Sequence, residues 1–201
     1  MKFKQRETWL LAAVDLLTKK LFKPKGYKMP KVRVACGWPS ARGLAAKNRT
    51  IGQCWSKRAS ADKATEIFIS PFLVHKTTDT WGVVPTLVHE LCHASVGVEE
   101  KHGKVFGDCA RAVGLEGKLT ATHAGKDLMA LTKTLHKKLG PYPHAKLDAK
   151  KSPVKKQTTR LIKCECGECG YVCRTTRKWL EDVGAPLCPA HPKKKMHFDL
   201  E

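Results

Sequence analysis

A chain of 201 residues, 42% of them hydrophobic, can bury one respectable core plus a small appendage. It holds no apolar stretch near the length of a membrane span. Nine cysteines, an odd number with no secretory leader, argue against a disulfide-built secreted domain, so a soluble cytoplasmic protein of a reducing compartment is expected. The net charge of +20 attracts polyanions through counterion release and makes nucleic acid the expected partner, with strand preference open and no sequence readout implied.

In chain order, the first apolar run, Trp9 to Val14, is interrupted by Asp15 and ends in Lys19-Lys20. It predicts an amphipathic helix with Leu10, Val14, Leu17 and Leu21 on one face, not a signal peptide. Val32 to Cys36, Thr50 to Trp55 and Thr65 to Ser70 read as short strands of one small sheet. An edge strand of such a sheet can pair with an extended substrate, though which strand is not legible here.

From Thr80 onward the period changes to helical: Val84, Leu87, Val88 and Leu91 share a face, and Asp79 can cap the start. This helix carries His89-Glu90-Leu91-Cys92-His93. At about 100° per residue, a step of four brings His89 and His93 to one point that suits a zinc ion. Glu90 borders the open coordination position and is placed to be a general base, whereas Cys92 reads as a small buried filler.

A catalytic zinc usually takes three protein ligands. His102 is the expected third, but on a continuous helix it would lie about 13 Å from His93, so the chain must turn. Gly97 is a suitable helix stop, with Glu99-Glu100-Lys101 as an exposed connection. A second helix then opens at His102, with Val105, Phe106, Cys109, Ala110 and Val113 as its apolar stripe. Other third ligands fit worse. A metzincin pattern needs Gly and His where this chain has Val96 and Glu99, a gluzincin pattern would use Asp108 or Glu116, and a deformylase would need a cysteine such as Cys36 or Cys54 in a different local context.

Residues 123 to 139 predict a further helix with Leu128, Leu131, Leu135 and Leu139 as its stripe. Lys146, Lys150, Lys151, Lys155 and Lys156, interleaved with Pro141, Pro143 and Pro153, then read as a solvated linker that does not pack. Cys166 and Cys169 have the gap of a zinc knuckle, and Cys188 with His191 supply a second pair, which together make a closed structural site. Cys164 and Cys173 compete for membership, with Cys166 preferred over Cys164 because it keeps the knuckle spacing. Strands are expected over Tyr171 to Thr175 and Arg177 to Leu180. Arg174, Arg177, Lys178 and Trp179 are candidate nucleic-acid contacts, with Trp179 equally suited to the small core.

The combination of His89-Glu90-Leu91-Cys92-His93 with His102-Gly103-x-x-Phe106 resembles the SprT-like, Spartan-related zinc metalloproteases. Gly37-Trp38-Pro39-Ser40, Ile51 to Trp55, Glu66 to Pro71 and Gly114 to Gly117 extend the likeness, which is to the short members of bacteriophage genomes; His191 departs from a frequent fourth cysteine. The expected architecture is α+β: a zincin-like metalloprotease domain with a short three-stranded sheet over 1–140, a basic linker over 141–160, and a zinc ribbon with basic tail over 161–201. Two zinc ions are expected, one catalytic on His89, His93 and His102 and one structural on Cys166, Cys169, Cys188 and His191. The resemblance implies a peptidase that cuts DNA-bound or DNA-crosslinked proteins, with Glu90 as base. The competing readings are a non-catalytic zinc-containing nucleic-acid-binding protein and a zinc amidohydrolase acting on a small substrate.

Overall fold

The computed structural model describes residues 3–45, 47–74, 76, 80–148, 151 and 160–199. Asp79, the expected helix cap, lies outside them, as do Lys150, Pro153, Lys155 and Lys156 of the expected linker. The chain forms two compact units, 1–151 and 152–201. No helix among the described residues is long and apolar enough to cross a membrane.

The first unit is mixed α/β. Helix α1 (Arg6–Leu17) buries Trp9, Leu10, Ala13, Val14 and Leu17, a spacing that returns to one face every turn; Leu21, expected on that face, is only partly buried. Strands β1 (Val32–Cys36), β2 (Gly52–Trp55) and β3 (Thr65–Ile69) form a sheet of order β1-β3-β2. β1 runs parallel to β3 with Val34 opposite Ile67, and β2 runs antiparallel to β3 with Cys54 opposite the same Ile67. The sheet therefore leaves β2 as an edge.

Helix α2 (Val83–Val96) packs on this sheet, and its Val83, Val84, Leu87, Val88, Leu91 and Cys92 are all fully buried. A helix apolar on so many sides must sit in the middle of its unit. It ends where expected, at Gly97, whose φ of 104° suits glycine and whose N–H donates to His93 O at 2.9 Å. A short turn over Val98–Glu100 and a left-handed Lys101 (φ 48°) reverse the chain into helix α3 (Lys104–Ala112). Phe106, Cys109, Ala110 and Val113 are buried there, while Val105, expected in the same stripe, is exposed.

Two strands precede the last helix of this unit and take the first two residues of the helix expected over 123–139. β4 (Leu115–Lys118) and β5 (Ala121–Ala124) form an antiparallel hairpin with Leu115 opposite Ala124, and helix α4 begins only at Lys126–Leu139. Residues 123 and 124 are thus strand because Ala124 N–H donates to Thr80 O, and Gly125 N–H then donates to Gly114 O, before the helix starts. Along α4, Leu128, Leu135 and Leu139 are buried as expected. Thr132 takes a place in the stripe, its hydroxyl donating to Leu128 O at 2.9 Å.

The start of the stretch after α4 is held against the unit, where solvated chain was expected, while residues 145–148 are exposed. Tyr142 is 7% exposed and meets Trp9 edge-on at 5.1 Å, and Trp9 Nε1 donates to Gly140 O at 3.0 Å. His144 Nε2 reaches Pro71 O at 2.8 Å, and Leu147 N–H donates to the same carbonyl at 3.1 Å. One buried aromatic side chain, the His144 ring and one backbone donor hold this part of the stretch despite its proline and lysine content.

In the second unit, β6 (Leu161–Glu165) pairs antiparallel with β7 (Val172–Thr176) and with β10 (His197–Phe198), and β8 (Leu187–Cys188) pairs with β9 (His191–Lys195). Arg177 to Leu180, expected as strand, belongs instead to helix α5 (Arg177–Asp182). An Arg177–Glu181 ion pair at 3.6 Å spans one turn of it, and Leu180 alone turns inward. The core is small: Cys164, Cys166, Leu180, Cys188 and Met196.

Candidate metal centres

His89 and His93 project from α2 and His102 from the turn before α3. Their Nε2 atoms converge, with His102 Nε2 lying 3.2 Å from that of His89 and 3.3 Å from that of His93. A tetrahedral zinc with bonds of about 2.05 Å needs nitrogen pairs about 3.3 Å apart. Burial pushes His89 down to about 3, helped by His93 and His102, and His93 down to about 4, helped by His102. The His102 pKa is also lowered by burial. Neutral imidazoles at this spacing can turn their Nε2 lone pairs to one point where a cation would sit. The donor set therefore fits zinc. Among the described residues, neither Cys36, Cys54, Asp108 nor Glu116 joins this three-donor group; Asp108 pairs with Arg111 at 2.9 Å, and Glu116 lies 3.9 Å from His123.

Phe106, from the next turn, stacks on the His93 ring at 4.2 Å and meets the rings of His89 and His102 at 5.0 Å each. The three rings thus rest on one apolar plate that restricts their rotation.

Glu90 is 6% exposed and faces β2. Burial pushes its carboxyl up to about 8, opposed in part by the Cys54 backbone N–H that donates to it. Contact with β2 is close enough that a Cβ built on Gly52 would lie 2.5 Å from Glu90 Oε1 and 2.6 Å from Thr86 Cγ2. Only glycine leaves the carboxyl where it is. A cleft of about 750 Å³ opens over this group, lined by Gly52 and Cys54 on one side and by Lys118, Thr120 and Thr122 on the other. Thr122, on the unforeseen hairpin, lies with Oγ1 2.8 Å from His89 Nδ1. Sequence reasoning missed it, although Gly114 and Gly117, both at positive φ, stand in the chain just ahead of it.

These pKa shifts give opposing stability terms in the metal-free protein. Below 6.5 the unfolded chain binds protons that folded His89 and His93 refuse, so stability falls on acidification, by up to about 1.4 kcal/mol per pH unit for each histidine. Folded Glu90 instead keeps a proton that the unfolded chain releases above 4.5, so its contribution is present at low pH and lost as pH rises toward 8. Chelator-treated protein should therefore lose stability from pH 6.5 to 8, and Glu90→Gln should flatten that descent. Urea unfolding of both proteins across this range checks the difference; parallel curves would remove the buried carboxyl from the account.

The second unit gathers Cys166, Cys169, Cys188 and His191, whose donor atoms lie within 4.8 Å of one another. Cys169 and Cys188 sulfurs are 3.6 Å apart, and His191 Nδ1 lies 3.6 Å from Cys166 Sγ and 3.7 Å from Cys188 Sγ. Zinc–thiolate bonds of about 2.3 Å predict pairs of about 3.6 to 3.8 Å. Backbone N–H groups of Cys169 and Glu168 point at the Cys166 sulfur and pull its thiol down to about 6, which favours the thiolate a metal needs. Cys164 and Cys173 face each other across β6 and β7, with Cys173 Sγ 3.8 Å from Met196 Sδ, and neither is part of the four-donor group. Of the candidate nucleic-acid residues, Arg174, Arg177 and Lys178 are exposed and Trp179 is 53% exposed with Lys178 Nζ 5.4 Å above its ring, so Leu180 and not Trp179 is the core residue.

A mixed α/β unit in which a His-Glu-x-x-His helix meets a third histidine has the make-up of a metalloprotease-like protein. The SprT-like family model matches residues 17–124, more than half of the chain, and the chain belongs to that family. No curated protein and no solved structure matches it.

Proposed function

We propose that the chain is a zinc-dependent endopeptidase that acts on proteins bound or crosslinked to DNA. The observation that carries the proposal is the meeting of His89, His93 and His102 at zinc-ligand spacing beside the buried Glu90 carboxyl, on the floor of an open cleft. His89, His93 and His102 would hold the ion. When bound, zinc supplies Lewis-acid polarisation of the scissile carbonyl and acidifies water.

The protein's own groups do the rest. Glu90 takes the proton of the attacking water and delivers it to the leaving amine. Burial raises its pKa in the metal-free protein, and a cation beside it would favour the ionised form that can accept a proton. Strand β2, an edge that lines the cleft, offers backbone groups to which an extended chain can add as a further strand. Cys166, Cys169, Cys188 and His191 would hold a second zinc that is structural, because four protein donors leave no open position. The domain arrangement proposed is a peptidase unit, a basic connection and a zinc ribbon.

The DNA association is supported by the net charge of +20 and by Arg174, Arg177, Lys178 and Trp179 on one exposed stretch of the second unit. Two measurements test the reading. Wild type should carry two zinc ions and His102→Ala one. The wild-type protein incubated with a basic DNA-binding protein should cut it when single-stranded or duplex DNA is present, and a chelator should stop the cutting. Two zinc ions on His102→Ala, or cutting that persists in chelator, would sink it.

A further inference from the structure

The two histidines of α2 differ in how their far nitrogens are held. For Nε2 to ligate, its lone pair must face the ion and the ring proton must sit on Nδ1. On His93 that Nδ1 is buried with no hydrogen-bond partner among the described residues. On His89 it lies 2.8 Å from Thr122 Oγ1. Thr122 belongs neither to α2 nor to the turn that carries His102 but to the β4–β5 hairpin. That hairpin is fastened to the entrance of α2: Ala124 N–H donates to Thr80 O at 2.9 Å, and the His123 ring packs on Trp81 at 5.3 Å. The hydroxyl is thus held by elements anchored just ahead of the helix it serves.

We propose that Thr122 is a positioning residue for the metal. Its oxygen accepts the Nδ1–H of His89 and so fixes both the tautomer and the rotation that present Nε2. The opposite polarity, with the hydroxyl donating to Nδ1, would put the ring proton on Nε2 and block ligation. A threonine does this without adding charge, whereas a carboxylate in the same place would make the imidazole more electron-rich and the bound ion less electrophilic. The inference rests on the metallopeptidase reading above.

The test uses the full chain and zinc competition against a chromophoric chelator, which reads affinity without reference to cleavage. Thr122→Val keeps the shape and removes the oxygen; Thr122→Ser keeps the oxygen. In the valine variant, affinity at the histidine site should fall by about 10- to 100-fold. The serine variant should stay close to wild type, and the cysteine-rich site should be unchanged in both as an internal reference. A valine variant that binds zinc as tightly as wild type overturns the proposal, as does a serine variant as weak as valine. Should Thr122→Val lose the circular-dichroism spectrum of the folded chain, Thr122→Ala, which opens space instead of filling it, is read in the same titration against the same criteria. The zinc count on His102→Ala separates the two levels. If that count stays at two, the metal site itself is wrong, and if it drops to one while Thr122→Val and Thr122→Ala bind normally, only the role of Thr122 is.

Discussion

Glu90→Gln should cut peptide hydrolysis by about 10²- to 10⁴-fold, the usual range for a positioned general base, while both zinc ions remain bound. The exchange keeps the shape, and the amide oxygen can still accept the Cys54 N–H that the carboxyl accepts now. What it removes is the capacity to take a proton. The variant should fold at least as well as wild type, because a neutral amide avoids the cost of ionising a group that is 6% exposed. Loss of activity could then not be ascribed to unfolding. Turnover of a DNA-bound substrate, measured beside zinc content and urea stability, checks all three, and a variant that cuts at the wild-type rate would take the base away from Glu90.

Stripping the metal should affect the two units very differently. The second unit has a core of three cysteines, Leu180 and Met196, two of whose cysteines belong to the four-donor group. Structural zinc in domains of this kind contributes about 10 to 16 kcal/mol of apparent binding free energy at neutral pH, which is folding free energy when no site exists in the unfolded chain. Chelation, or Cys166→Ser, should therefore abolish the hydrogen-exchange protection of β6, β7 and β10. The first unit is built around Trp9, Phe22, Leu87, Leu91 and Phe106, all fully buried, and α2 should keep its slow amides after chelation. Protected β6 and β7 amides in metal-free protein would show that the second unit folds on packing alone.

Helix α2 was legible because two independent periods coincide on it, the apolar spacing of Val84, Leu87, Val88 and Leu91 and the four-residue step from His89 to His93. His102 was legible only through Gly97, a stop signal whose left-handed backbone the structure shows. The knuckle of Cys166 and Cys169 needed no tertiary information, since its donors are neighbours in the chain. Failures came where local pattern was weak and tertiary contacts decided. The β4–β5 hairpin, Leu115 to Ala124, has little β-branched or alternating apolar content to mark it as strand, and its pairing, together with the bond of Ala124 to Thr80, takes the first two residues of the helix expected over 123–139. With it, Thr122 and one wall of the cleft went unseen. Arg177 to Leu180 is too short to display either period, and its capture by α5 moved Trp179 from candidate core to surface. Tyr142 was lost among prolines and lysines, although one aromatic ring against Trp9 was enough to hold the chain down.

Glycine at position 52 couples two tasks that enzymes often separate. Strand β2 is the edge to which a substrate chain would add, and the same strand grips the carboxyl of Glu90 through the Cys54 amide and the bare α-carbon of residue 52. A shift of that edge would alter the contacts that hold the Glu90 carboxyl, although Glu90 itself belongs to α2. On the proposed reading, a displacement of that one strand would disturb both the seat of the substrate chain and the seat of the carboxyl.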